Sequence, residues 1–312
     1  MDENKEKILR LIHKISDEED DERRSYLADC ILEIDPGNPI AKYVKWQCMD
    51  DEESARDMSL VREAIASLRP VVDGPDELDG EEVIMAFYIS MLSDLASFLY
   101  ATGEKDEAFA AASEFMERDD ECGTLGRLVY YAILVEQGKF AEVIEAVEND
   151  ICETPAGEFC RAIAAFELEG CKDSAAEYLL NAFSLDPDLP FYILGVWAID
   201  DESIDDEENY DGYVEETMVT VSVMSELWAA NEDRLAFLSV VAFSIGYITG
   251  RMEDADEMET LEESYKEAGC LEDIRESRDV LHAMLAGGKS QEEVDEEALS
   301  IFRETNYFNL FE

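Results

Sequence analysis

Groups that could serve as a base, a nucleophile or a soft metal ligand are few here. The chain has two histidines, His13 and His282, and seven cysteines, set among 78 acids and 24 bases. A Ser-His-Asp or Cys-His site needs its base within hydrogen-bond reach of the nucleophile. His282 stands in VLHAMLAGG near the end of a helical stretch, where a positive side chain suits the helix dipole, and both histidines read as structural. Zinc requires paired Cys or His at short spacing. Seven and ten residues intervene between Cys152, Cys160 and Cys171, and there is no CxxC. With Cys30, Cys48, Cys122 and Cys270 they read as reduced thiols, mostly small core residues. Cys171, beside a turn and next to Lys172, is the thiol best placed to react.

The acidic run from Asp200 to Asp211 invites a calcium reading. An EF-hand loop needs Gly at its sixth position and a bidentate Glu at its twelfth. With Gly212 as the sixth, the twelfth is Met218, so the loop fails. The run reads as a solvated loop, with weak unspecific divalent binding as its second reading. Paired acids of the glycosidase kind carry no information where acids are everywhere. No GxGxxG or GxxxxGK[ST] occurs, and Gly123 and Gly126 lack a phosphate-binding context. No catalytic, cofactor-binding or metal-binding residue is assigned, and the chain reads as a non-enzyme without cofactors.

Composition narrows the partners. A formal charge of -54 opposes binding to nucleic acid and to anionic membranes, both of which need clustered Lys and Arg. It favours basic partners and solvates the surface. At 312 residues, with 47% hydrophobic residues, the chain can bury a sizeable core. The N-terminus has no secretory pattern. The most apolar run, Leu235 to Ile248, has 14 residues, too few to span a bilayer. The expected compartment is the cytoplasm.

The elements that would position any site are helical hairpins. Glu158 to Pro190 holds two apolar stripes at helical spacing, separated by Gly170 and stopped at Asp186-Pro187. Met91 to Asp120 turns at Gly103 and Leu125 to Asp150 turns at Gly138, giving steps of 35 and 32 residues. Each turning glycine is followed at plus five by Ala108, Val143 or Ala175. Residues 1–70 hold less regular hairpins, with Ser54 to Arg69 a helix ended by Pro70. Residues 71–80 form a loop, 81–190 the regular repeats, and 191–312 a C-terminal helical region with the acidic loop 200–212. The C-terminal helices are expected near 213–230, 233–249, 254–268, 271–286 and 291–304, with the aromatic tail NYFNLFE docking on the last. No segment alternates as a strand would. The expectation is an all-α tetratricopeptide-like α-α superhelix, one continuous solenoid closed by C-terminal capping helices.

Gly170 to Pro187 presents a turning glycine, small residue, aliphatic, small residue and Asp-Pro, which resembles the second half of a tetratricopeptide motif. Asp186 to Gly195, DPDLPFYILG, resembles a signature of the suppression-of-tumorigenicity-seven-like tetratricopeptide family, in which a Trp-bearing helix follows a variable loop. Here that helix would be Tyr213 to Ala230, with Trp228. The likeness covers roughly Met91 to Leu238. Val143 and Phe115 depart from it, standing where the repeat has small residues, and the middle repeat closes on Asn149-Asp150 without proline. The resemblance implies an interaction module without chemistry of its own.

The function expected is therefore a scaffold whose concave groove is lined by first arms of hairpins. Its candidate residues are Tyr88, Leu92 and Ser93, then Arg127, Tyr130 and Tyr131, then Cys160, Arg161 and Ala164; Tyr and Arg are types enriched at binding hot spots. Against these stands the plainer reading that the tyrosines pack between arms. Few bases lie in the first arms, so a basic or apolar partner segment is favoured over an acidic one. Two other functions are carried: an acidic mimic of nucleic acid that regulates a basic protein, and an uncharacterised hydrolase.

Overall fold

In the computed structural model the described residues are 3–49, 58–74, 80–170, 173–198, 212–252 and 255–305. Among them are sixteen helices and no strand. The all-α expectation is met, and helices adjacent in sequence pack as neighbours. Cys171, the acidic run from Asp200 to Asp211 and the tail 306–312 lie outside the described residues.

The chain divides into two compact units, residues 1–130 and 131–312, a boundary inside the segment that the sequence reading treated as one repeat array. The first unit holds α1 (Glu3–Ser16), α2 (Asp21–Leu32), α3 (Pro39–Gln47), α4 (Ser59–Val72), α5 (Glu81–Ala101) and α6 (Lys105–Arg118); the boundary falls within α7 (Thr124–Glu136). Starts are set locally: Pro39 opens α3, where it loses no helical bond, and Asn38 Oδ1 accepts from the Ala41 N–H at 3.0 Å. The turn from α5 to α6 is made at Gly103, whose φ of 83° lies where a Cβ is disfavoured.

One detail corrects the sequence reading and another explains a departure noted there. Pro70 does not end α4, which runs on to Val72. In the last turn proline forfeits only its own donor, and the Asp73 N–H still reaches the Arg69 carbonyl at 2.9 Å. Phe115, bulky where the resemblance leads one to expect a small residue, fits because Gly126 faces it; a Cβ on Gly126 would lie 2.5 Å from the ring. The central α5 is also long and apolar enough to cross a membrane, with a mean hydropathy of 1.6 over its most apolar window. Here it is packed on α1, α3, α4 and α6.

The second unit holds α8 (Phe140–Asn149), α9 (Pro155–Glu169), α10 (Asp173–Leu185), α11 (Leu189–Ile193), α12 (Gly212–Ala229), α13 (Glu232–Thr249), α14 (Ala255–Ala268), α15 (Leu271–Ala286) and α16 (Gln291–Thr305). Hairpin α9–α10 is its densest pair. Every residue of α9 from Ala156 to Phe166 except Arg161 is buried. The Trp228 expected on α12 is fully buried, edge-on to Phe159 at 6.3 Å. Helix α16 folds back on α10, α13 and α15, burying Val294, Ala298 and Phe302. Arg251 secures it by bonding both Asp188 (2.8 Å) and Asp295.

The thiols also differ from expectation. Cys30, Cys48, Cys160 and Cys270 are free, but Cys122 and Cys152 are each disulfide-bonded. Spacing along the chain does not report which cysteines the fold brings into bonding range.

Candidate functional site

A recess among the described residues of the first unit is a slot built from three helices. On α4, Arg62, Ile65, Ala66 and Arg69 follow one another at i, i+3, i+4 and i+7, so they share a face. On α6, Glu107, Ala110, Ala111 and Glu114 repeat the same spacing. Between them α5 contributes Leu92, Leu95 and Leu99 as a floor. Burial of Val61, Ala64 and Leu68 seats α4, and that of Ala108, Ala112 and Phe115 seats α6, which leaves these stripes facing the space between. The recess is open to solvent and has a volume of about 280 Å³.

Charge frames the slot at both ends. At one, the Arg62 Nη2 bonds Glu107 at 3.1 Å and Glu104 at 3.3 Å. At the other, Arg69 grips Glu114 with both Nε and Nη2. The Tyr88 hydroxyl donates to Glu114 at 2.6 Å and accepts from Arg69 Nε at 3.1 Å. Arg118 adds a third cation, 3.2 Å from Glu114 and 2.7 Å from Asp73, with its guanidinium 5.3 Å from the Tyr88 ring centre. These contacts set the protonation states. Burial alone would raise the Glu114 pKa, but bonds from Tyr88 and Arg69, with the charges of Arg69 and Arg118, outweigh it and hold that carboxyl below its ordinary value. Burial, then the bond to Glu114, pushes the Tyr88 phenol up to about 12.

Two of the groove residues expected from sequence, Tyr88 and Leu92, lie here, both almost fully buried. Ser93 is half-buried on α5. Arg127 is 1% exposed and ion-paired with Asp119, whose backbone carbonyl it also bonds at 3.2 Å. Tyr130 stacks on Phe109 with ring centres 5.3 Å apart. In the second unit, the buried Tyr131 donates to Asp150 at 2.5 Å, while Cys160 and Ala164 are fully inside α9. Arg161 lies 4.0 Å over the Tyr178 ring and bonds Glu158 at 3.3 Å. Tyr88, Arg127, Tyr130, Tyr131 and Arg161 each have a bonding or stacking partner within their own unit. Both histidines are exposed; Gly250 lies beside His282, its ideal Cβ position 3.3 Å from Nε2.

The slot residues other than Tyr88 and Leu92 were not anticipated. Their signal is present in the sequence as RxxIAxxR (62–69) and ExxAAxxE (107–114). It has meaning only once α4 and α6 are known to flank the same floor. Apolar contact inside a frame of fixed charges suits non-covalent docking of a side chain. No group of three His, Cys, Asp or Glu poised to hold a metal occurs among the described residues.

No family model, curated protein or solved structure matches this chain.

Proposed function

We propose that the protein is a non-enzymatic interaction scaffold, a tetratricopeptide-like array of hairpins whose α4–α5–α6 slot receives a basic or apolar segment of a partner protein in the cytoplasm. The observation that carries this reading is the slot itself: a leucine floor at the bottom of a 280 Å³ recess with charged rims on both walls. A few apolar anchors inside a polar rim is the usual anatomy of a protein-docking site. Support also comes from the hairpin spacing, with Gly103, Gly138 and Gly170 all at positive φ. The net charge of -54 favours a basic partner over an acidic one.

Filling the slot tests the reading. Ala110 and Ala66 are exposed and line it, so Ala110→Trp occupies the space without disturbing the core. Peptides selected from a random display library on the intact protein should bind the A110W variant at least 10-fold more weakly, with thermal unfolding unchanged. Peptides that bind both proteins alike would place the docking surface elsewhere.

A further inference from the structure

The two ends of the slot differ in charge balance, and the difference specifies an occupant. At the Glu114 end, Arg69 and Arg118 face Glu114 and Asp73, two cations for two carboxylates. All are bonded, and the Glu114 side chain is only 17% exposed. At the other end, among the described residues, Arg62 is the cation paired with Glu104 and Glu107, whose side chains are 49% and 64% exposed. Lys105, beside them at the start of α6, lies over the Tyr100 ring at 3.2 Å. Among the ion pairs of the described residues, two solvent-open carboxylates share one arginine there.

The walls constrain the backbone that could enter. They consist of three helices whose peptide groups are bonded internally. An extended segment would bring unpaired N–H and C=O groups to walls that offer no backbone partner. A helix brings none. Its side chains at i+3, i+4 and i+7 would meet the leucine floor between the small residues Ala66, Ala110 and Ala111, which permit close approach.

Resting on the scaffold reading, we infer that the slot's occupant is a cationic amphipathic helix of a partner protein. It inserts two or three apolar side chains over Leu92, Leu95 and Leu99 and sets one Lys or Arg against Glu104 and Glu107. Arg62 is then a competitor built into the site: it holds the carboxylates that the partner's cation needs. The first unit's formal charge, from 33 acids and 14 bases, draws such a helix in at long range.

The test uses the full chain and three synthetic 14-residue alanine-rich peptides labelled for fluorescence anisotropy. One has Lys at i and Leu at i+3, i+4 and i+7. The second replaces that Lys by Glu. The third keeps the first peptide's composition but scatters its leucines around the helix. The Lys peptide should bind at least 10-fold more tightly than either control. Glu104→Gln with Glu107→Gln should weaken it at least 5-fold, Arg62→Gln should tighten it about 3-fold, and A110W should abolish it. Equal binding of the Lys and Glu peptides, or of the scattered one, overturns the inference, as does absence of binding by the Lys peptide at 1 mM. Failure of the parent reading is distinguishable. If display yields A110W-sensitive peptides that are acidic or rich in proline, the scaffold stands and the cationic helix falls. If no selected peptide is sensitive to A110W, both fall.

Discussion

Hairpins α5–α6 and α9–α10 are built on the same plan, two apolar stripes joined at a positive-φ glycine; the first borders a slot, and the second is packed densely among its described neighbours. The difference lies in what leans on them. Helix α9 is covered by α8, α10 and α12, and its facing residues are small (Ala162, Ala164, Ala165) or fill the gap completely (Phe159, Ile163). Helix α5 receives α4 and α6 with alanines at the meeting line, Ala66 on one and Ala110 and Ala111 on the other, and the alanines are too short to close it. Two helical hairpins of like plan thus yield core or recess according to the size of the residues on the flanking helices.

Buried carboxylates mark the contrast too. Glu114 meets two arginines and a phenol and is held below its ordinary pKa. Glu158, 7% exposed, is pushed above it by burial, which Arg161 and the Asn181 amide at 3.4 Å only partly offset. The Arg161 guanidinium is shared with the Tyr178 ring. How many cations reach the carboxylate, more than depth alone, decides the sign.

The largest expected effect separates full packing from recess. Leu179→Ala on α10, a fully buried site, should cost about 4 kcal/mol by urea unfolding, against about 2 kcal/mol for Leu95→Ala, which already borders open volume. Equal costs would mean that the slot collapses when its floor is cut.

Next in size, Glu114→Ala should lose about 2 kcal/mol at pH 7, because it removes charge-assisted bonds and leaves Arg69 and Tyr88 without their acceptor. A carboxyl with a lowered folded pKa contributes its stability above the ordinary value near 4.5 and loses it as pH falls through the folded pKa. Unfolding of the two proteins across pH should therefore converge only in acid below 4.5.

The smallest effect has the opposite sign. Glu158→Gln should stabilise at pH 7, by up to about 1 kcal/mol, since it removes a charge that burial disfavours. Here the folded pKa is raised, so the wild-type deficit appears as pH rises from about 4.5 through the folded pKa and vanishes below 4.5. A deficit that instead grows in acid would show that Arg161 governs this site.

Much of the fold is readable from the sequence because its signals are local. Gly103, Gly138 and Gly170 need conformations that other residues avoid, and the C-terminal helices begin and end within two residues of their expected positions. The site was less readable because it depends on pairs far apart in the chain. Arg127 reads as a groove residue from its place on a first arm; its burial follows from Asp119, eight residues earlier, turning back to meet it. Arg62 and Arg69 carry no local sign that Glu107 and Glu114, 45 residues on, share their floor. The plainer alternative, tyrosines packing between arms, describes Tyr131, and Tyr88 combines packing with the slot's hydrogen bonds.

The most direct test of the slot is methyl-resolved NMR of the full chain, labelled at Ile and Leu and titrated with the Lys-bearing amphipathic peptide. Docking there predicts saturable shifts at Ile65, Leu92, Leu95 and Leu99, while Ile163, Leu179 and Leu180 in the densely packed hairpin stay still. Shifts centred on α9 and α10, or spread thinly over the acidic surface without saturating, would contradict it.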